Sequence, residues 1–307
     1  MRVAICIATC RRPGGLDRLL TSLSQLRLPT CPDAEIRLIV VDNDALGSGR
    51  PVVGRWRPAL PWPLVYEVEP RPGIPMARNR LVALAQDADF VAFIDDDEVA
   101  SVAWLDELLS VQMRYGADVV GGPVVPRFEI EPPDWLKSGR FFDHPRHGTG
   151  EPVDPVGTGN VLVSARLLRS LQTPFDERMA LSGGADSHLT RRLRELGARF
   201  AWADEALVHE WVPRSRARER WLFRRSYRVG NALALCDRSL AASLWWVPLR
   251  AMKGLGRIGQ GLLGLGLAPF AGRAAAVRAV CHLCRGAGMV AGMFGHRFLE
   301  YRRTDGT

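Results

Sequence analysis

The sequence predicts an α/β protein on a mostly parallel central sheet. Short apolar runs alternate with stretches of helical periodicity through the first half of the chain, the pattern of repeated βαβ units. The first three runs each end in polar groups: Thr9 with Arg11 and Arg12, Asp42 with Asp44, and Asp95 with Asp96 and Asp97. In such sheets ligands bind beyond the carboxyl ends of the strands.

The elements follow in order. "RVAICIAT" (2–9) is a buried strand and "GLDRLLTSLSQL" (15–26) has leucines at helical spacing. "EIRLIVVDND" (35–44) is a second strand, "IPMARNRLVALAQ" (74–86) a helix and "DFVAFIDDDE" (89–98) a third strand. "VAWLDELLSVQMRY" (102–115) is an amphipathic helix, with Ser101 its best-placed cap, and "ADVVGGPVVP" (117–126) reads as one more strand. Residues 127–156, rich in proline, histidine and glycine, read as a loop region. "NVLVSARLLRSL" (160–171) is strand then helix, and "GGADSHLTRRLRELG" (183–197) is a helix introduced by glycines. "RFAWADEALVHEWVP" (199–213) is strand-like, and a strongly basic helix begins after it.

Residues 239–296 differ, being rich in Leu, Gly and Ala. The longest uncharged piece, Ile258–Gly272, is about 15 residues and contains Pro269, short of the roughly 20 that a membrane-spanning helix needs. Spaced arginines and Lys253, beside Trp245 and Trp246, suit a helix lying in the membrane interface. The competing expectation is a helical subdomain packed on the core.

Composition narrows the function. With 307 residues, 47% hydrophobic and 24% charged, the chain is globular, and a net charge of +8 calls for an anionic partner. None of the six cysteines forms a repeating framework, and Cys281-x-x-Cys284 stands alone, so free thiols and helix packing are expected rather than disulfides or zinc. "MRVAICIATCRRP" does not read as a signal peptide, and a cytoplasmic location is expected.

The acids at 95–98 need a counter-ion, because carboxylates this close do not all ionise cheaply. Mg²⁺ or Mn²⁺ held by one or two of them and by substrate phosphates answers that need. There is no G-x-G-x-x-G after the first strand and no G-x-x-x-x-G-K-[ST] anywhere, which removes the main support for dinucleotide and P-loop readings. The residue types suggest a nucleotide-dependent transferase, with phosphates neutralised by a metal and arginines.

Several motifs, in the right order over residues 1–230, resemble inverting glycosyltransferases of family 2, whose fold is GT-A. They are "CIATCRRPGGLDRLLTSL", "IVVDNDALGSG", "GIPMARNRLVALAQDADFVAFIDDDE", "GTGNVLVSARLL" and "GGADSHLTRRLRELG". The wording of "VDND", "EPRPGI" and "IDDDE" is most similar to bacterial succinoglycan-type exopolysaccharide glucosyltransferases. The resemblance implies a catalytic domain over 1–230, and the composition of the tail makes 231–307 a C-terminal helical segment expected in the membrane interface. It implies that Thr9, Arg11, Asp42, Arg78, Asp95 and Asp96 hold the nucleotide-sugar, that Asp97 is the main metal ligand and that Asp186 is the general base. Ala185 stands where the family usually has Glu. His209 is expected near the metal or diphosphate, against the plainer reading of a structural histidine. Arg220 and Trp221, in "ARERW", echo the Q-x-x-R-W motif of processive synthases and would line the acceptor or diphosphate, or else face anionic lipid.

The implied reaction moves a sugar, with UDP-glucose the expected donor, to a hydroxyl of a saccharide or lipid-linked saccharide, with inversion and with Mn²⁺ or Mg²⁺ as cofactor. The expected location is peripheral, on the inner face of the plasma membrane. Competing readings are a sugar nucleotidyltransferase, which needs a lysine-bearing phosphate loop that "ATCRRPGGLDR" lacks, a catalytically dead scaffold, and a non-catalytic binder of an anionic polymer. Nucleic acid is not an expected partner, since basic charge alone leaves the acids at 95–98 unexplained.

Overall fold

The computed structural model describes residues 1–153, 157–180, 182–240 and 245–298. In chain order the elements are β1 (Arg2–Thr9), α1 (Pro13–Leu23), β2 (Glu35–Asp42), α2 (Arg50–Trp56), β3 (Leu64–Val68), α3 (Ile74–Leu84), β4 (Phe90–Ile94), β5 (Glu98–Ala100) and α4 (Trp104–Tyr115). They continue with β6 (Val119–Gly121), β7 (Val124–Phe128), α5 (Asp134–Gly139), β8 (Asn160–Ser164), α6 (Ala165–Ser170), α7 (Ala185–Glu195), β9 (Phe200–Trp202), β10 (Val208–Val212), α8 (Glu219–Leu240) and α9 (Trp246–Met293).

Seven strands form the central sheet in the order β3-β2-β1-β4-β8-β6-β9, and β5-β10-β7 form a second, smaller sheet. The first four strands of the large sheet run parallel, while β8 runs antiparallel to both β4 and β6. Strand side chains alternate between faces, and the sequence obeys this. Ile5, Ile7, Leu38, Val40 and Ile94 point into one core with α1 and α4, while Cys6, Ile39, Val41, Val91 and Phe93 point into another with α3, α6 and α7. Each fully buried aliphatic side chain contributes about 1.5–3 kcal/mol.

Two sequence runs divide where one strand was expected. "ADVVGGPVVP" breaks at Gly122–Pro123, so β6 joins the large sheet and β7 the small one. A Cβ at Gly122 would sit 2.6 Å from both the Ala206 carbonyl and the Asn160 side chain, so only glycine passes there. "RFAWADEALVHEW" divides in the same way into β9 and β10. The loop region 127–156 contains the end of β7 and α5, and its residues 154–156 lie outside the described set. Ser101 does not cap α4 with its side chain: the helix begins at Trp104 without a side-chain cap, and the Ser101 hydroxyl is buried with no partner.

The C-terminal region is a helical layer. The boundary expected at 230/231 falls inside the unbroken α8. α9 kinks at Gly272, where φ is +78°, and folds back on itself. Its second arm packs on α8, as Asn231 donates to the Gly288 and His296 carbonyls. Its first arm packs on the second and keeps a face exposed. α9 is long and apolar enough to cross a membrane, with mean hydropathy 1.2 and 11% burial in its best window. The sequence count of uncharged residues missed this, because the helix runs through Lys253 and Arg257 without interruption.

Candidate active site

The site lies beyond the carboxyl ends of β1, β2 and β4. Register sets it: Thr9 ends β1 opposite Asp42 of β2, and β4 runs beside β1 and delivers Asp95–Asp97 as a turn before β5. The Thr9 hydroxyl donates to Asp96 at 2.8 Å. A Cβ at Gly15 would lie 2.5 Å from the Asp96 carbonyl, so the glycine lets α1 approach the acidic turn.

Guanidinium groups compensate the acids. Arg12 Nη1 stands 3.0 Å from Asp96 Oδ1 and 3.1 Å from Asp97 Oδ2. Arg216 Nη1 stands 3.1 Å from the same Asp97 oxygen and 3.0 Å from Glu210 Oε1. Arg78, buried on α3, donates to Asp95 Oδ1 at 2.9 Å and forms an ion pair with Asp186 Oδ1. Asp186 also accepts from the Thr158 hydroxyl at 3.1 Å. It sits in the first turn of α7, where the helix dipole favours a carboxylate.

The crowding is legible in proton affinities. Desolvation pushes Asp96 up to about 6, with Arg12 opposing and Asp97 adding to the rise. Asp95 is also raised, by desolvation first, against the pull of Arg78. Glu98 accepts from the Asp95 backbone N–H at 2.8 Å; burial and then Asp95 hold its carboxyl well above the usual range. Glu210 is raised by burial and by Asp97, while Arg225 and Arg216 oppose. Desolvation works against the Arg12 guanidinium, yet Asp96 and Asp97 outweigh it and hold its proton more tightly than usual.

Other expected site residues lie differently. Asp42 is fully buried, and its carboxylate already accepts from the Gly49 N–H at 2.6 Å, the Tyr66 hydroxyl at 3.0 Å and the Asp44 N–H at 3.0 Å. In this structure it organises the 44–49 loop rather than opening towards a nucleobase. Arg11, with φ +54°, clasps that loop by pairing with Asp44 at 3.3 Å. His209 does not reach the acids. On β10 it faces the side of Arg127, and burial followed by that charge lowers its pKa, whereas Glu210, one residue on, points to Asp97. Trp221 stacks on Phe142 at 5.5 Å with Arg216 5.8 Å from its ring, so it touches the acidic cluster through Arg216. Arg220 is exposed on α8. Ala185 is buried in the core with Leu189, Leu193 and Cys236, so the carboxylate usual in the family would be buried there among apolar groups.

Comparison with known proteins decides the family. The family model described as Glycosyl transferase family 2 matches residues 4–170. The succinoglycan biosynthesis protein ExoM of Rhizobium meliloti (strain 1021) is 35% identical over 232 residues, covering 75% of this chain and 74% of that protein. The chain belongs to glycosyl transferase family 2. A second relative, the pre-mycofactocin glycosyltransferase of Mycobacterium tuberculosis, is 29% identical over 272 residues, covering 83% of this chain and 54% of that protein. Among solved structures, S. aureus TarS 1–349 in complex with UDP superposes with TM-score 0.54 at 17% identity, covering 96% of this chain and 92% of that one. The mannosyltransferase PcManGT of Pyrobaculum calidifontis, in complex with GDP-Man and Mn²⁺, does so with TM-score 0.62 at 18% identity, covering 95% and 87%. The fold of this family 2 glycosyltransferase is GT-A.

The acids of the site are oxygen donors of the kind a divalent cation takes. Among the described residues no group of three or more His, Cys, Asp or Glu forms a metal cage. Asp97 would serve a cation held by one or two carboxylates and completed by ligand oxygens, provided that cation displaces the Arg12 and Arg216 guanidiniums from its Oδ2. Arg12, Arg216 and Glu210 were not among the expected site residues. Arg12 was visible at the end of β1; Arg216 and Glu210 carry no motif and only the tertiary fold brings them in.

Proposed function

We propose that the protein transfers a sugar, with inversion, from a nucleoside-diphosphate donor to a hydroxyl of a saccharide or lipid-linked saccharide in cell-surface polysaccharide synthesis. The observation that carries this reading is the Asp95–Arg78–Asp186 chain, which ties the acidic turn to a carboxylate at a helix N-terminus. Asp186 accepts the proton of the attacking hydroxyl, and Arg78 and Thr158 hold its carboxylate in place. A base on the face opposite the leaving group gives inversion. Thr9, Asp95 and Asp96 line the donor side, with Arg11 and Asp42 supporting it by holding the 44–49 loop. Asp97 and Glu210 would hold Mn²⁺ or Mg²⁺, which supplies charge neutralisation to a leaving diphosphate. Arg12 and Arg216 turn from the acids towards that diphosphate.

The donor is proposed to be UDP-glucose, on the likeness to a succinoglycan biosynthesis protein. UDP-GlcNAc and GDP-mannose are the donors to test beside it, since solved structures of the fold carry them. The exposed face of α9 supports peripheral attachment to the inner face of the plasma membrane. The test is a panel of nucleotide-sugars with Mn²⁺, Mg²⁺ or EDTA and lipid-linked acceptors, scored for nucleoside diphosphate release. Release with UDP-glucose and a cation, abolished in Asp186→Asn, supports the proposal; cation-independent release, or full activity of the variant, refutes it.

A further inference from the structure

Trp245 (82%), just before α9, and Met252 (65%), Leu263 (74%), Leu267 (65%) and Phe270 (91%) of its first arm are exposed along one helical face. Glycines on the opposite face pack it against the second arm. Arg257 lies between the packed face and the exposed one. From there it donates to His282 Nδ1 of the second arm at 3.2 Å and to Gln260 at 3.1 Å. One turn beyond His282, Arg285 is partly buried, and its Nε has no hydrogen-bond partner. No carboxylate among the described residues pairs with Arg257, His282 or Arg285. The contrast with Arg250 is local: that guanidinium, also in the first arm, is paired with Asp237. Burial and then the charges of Arg257 and Arg250 push Arg285 below its ordinary value, the mark of positive charge without a counter-ion.

We propose that Arg257, His282 and Arg285 form a binding site for the phosphate of an anionic lipid headgroup, with the adjoining apolar face of α9 lying among the acyl chains. Two guanidiniums and an imidazole on neighbouring helical arms supply the donors that a phosphate takes. Their place beside an unpartnered apolar face favours a phosphate carried at a bilayer surface over one free in solution. This rests on the peripheral-membrane reading above and specifies which lipids the helix selects and through which residues.

The test is flotation of the full chain with phosphatidylcholine vesicles, with and without 30% phosphatidylglycerol. Wild type is compared with Arg257→Gln/Arg285→Gln and with Lys253→Gln/Arg297→Gln, which removes two exposed charges from the same region. The expected result is about a tenfold preference of wild type for the phosphatidylglycerol vesicles, retained by the second variant and lost by the first. The first variant is expected to melt at or above the wild-type temperature, because a crowded charge is removed; a merely structural role predicts a lower one. Equal loss in both variants, or no loss in the first, overturns the site. Wild-type binding without preference overturns the site and leaves the membrane reading standing. No vesicle binding at all overturns both. Binding of inorganic phosphate that depends on Arg257 and Arg285, without any lipid preference, overturns the lipid assignment.

Discussion

Arg216 holds its Nη1 3.1 Å from Asp97 Oδ2, on the oxygen that Arg12 also approaches at 3.1 Å. The acidic turn in "FVAFIDDDE" therefore carries its own positive charge when no ligand is present. On the proposed function, a divalent cation and a diphosphate would compete with these guanidiniums and free the arginines to face the phosphates.

Arg216→Gln should tighten Mn²⁺ binding measured by calorimetry without nucleotide, by roughly 10- to 150-fold, because a hydrogen bond to a charged group is worth about 1.5–3 kcal/mol. In the same variant the affinity for UDP should fall. Unchanged Mn²⁺ affinity would show that Arg216 does not compete for Asp97.

Arg78→Ala should lower stability by about 3 kcal/mol, since two partly enclosed carboxylates lose their common partner. Arg78→Lys keeps the charge but not the fork that reaches Asp95 and Asp186 together. Its turnover should drop at least about tenfold while its melting temperature moves less than that of the alanine variant. Thermal melts and nucleoside diphosphate release measure the two effects.

Asp186→Asn should bind the donor within about threefold of wild type and transfer about 10²- to 10⁴-fold more slowly, the usual contribution of a positioned base. Titration calorimetry and single-turnover transfer separate the two. A variant that loses donor binding instead would place Asp186 in the donor site.

The pH dependence follows from Asp96. Its folded pKa of about 6 lies above the ordinary 3.8 of an aspartate, so between these values the folded state binds more protons than the unfolded state. Stability therefore falls as pH rises through that window. Relative to Asp96→Asn, the ligand-free wild type should lose about 1–3 kcal/mol between pH 4 and pH 6, read from urea melts at each pH. A difference that does not change with pH would contradict the raised affinity.

Gly15→Ala should destabilise by about 1–3 kcal/mol and cut activity, because its Cβ would meet the Asp96 carbonyl at 2.5 Å and push the acidic turn. Gly14→Ala is the control: its Cβ would meet nothing nearer than Arg18 Nη1 at 3.8 Å. Equal effects of the two substitutions, in melts and in turnover, would refute the close approach.

The sequence by itself determined the parallel βαβ start, the acidic turn after a buried strand and the family, because each is written in local spacing and residue type. The near-continuous apolar runs in "RVAICIAT" and "EIRLIVVD" are enough to mark strands buried on both faces. The tertiary structure alone decided the rest. It set Glu210 and not His209 towards Asp97, because neighbouring residues on a strand face opposite ways and only the pairing of β10 with β5 and β7 says which way is inward. It joined Arg78 to Asp186 across 108 residues and turned a 15-residue uncharged piece into one arm of a longer helix. Such relationships depend on register and packing between distant segments, and neither leaves a trace in local composition.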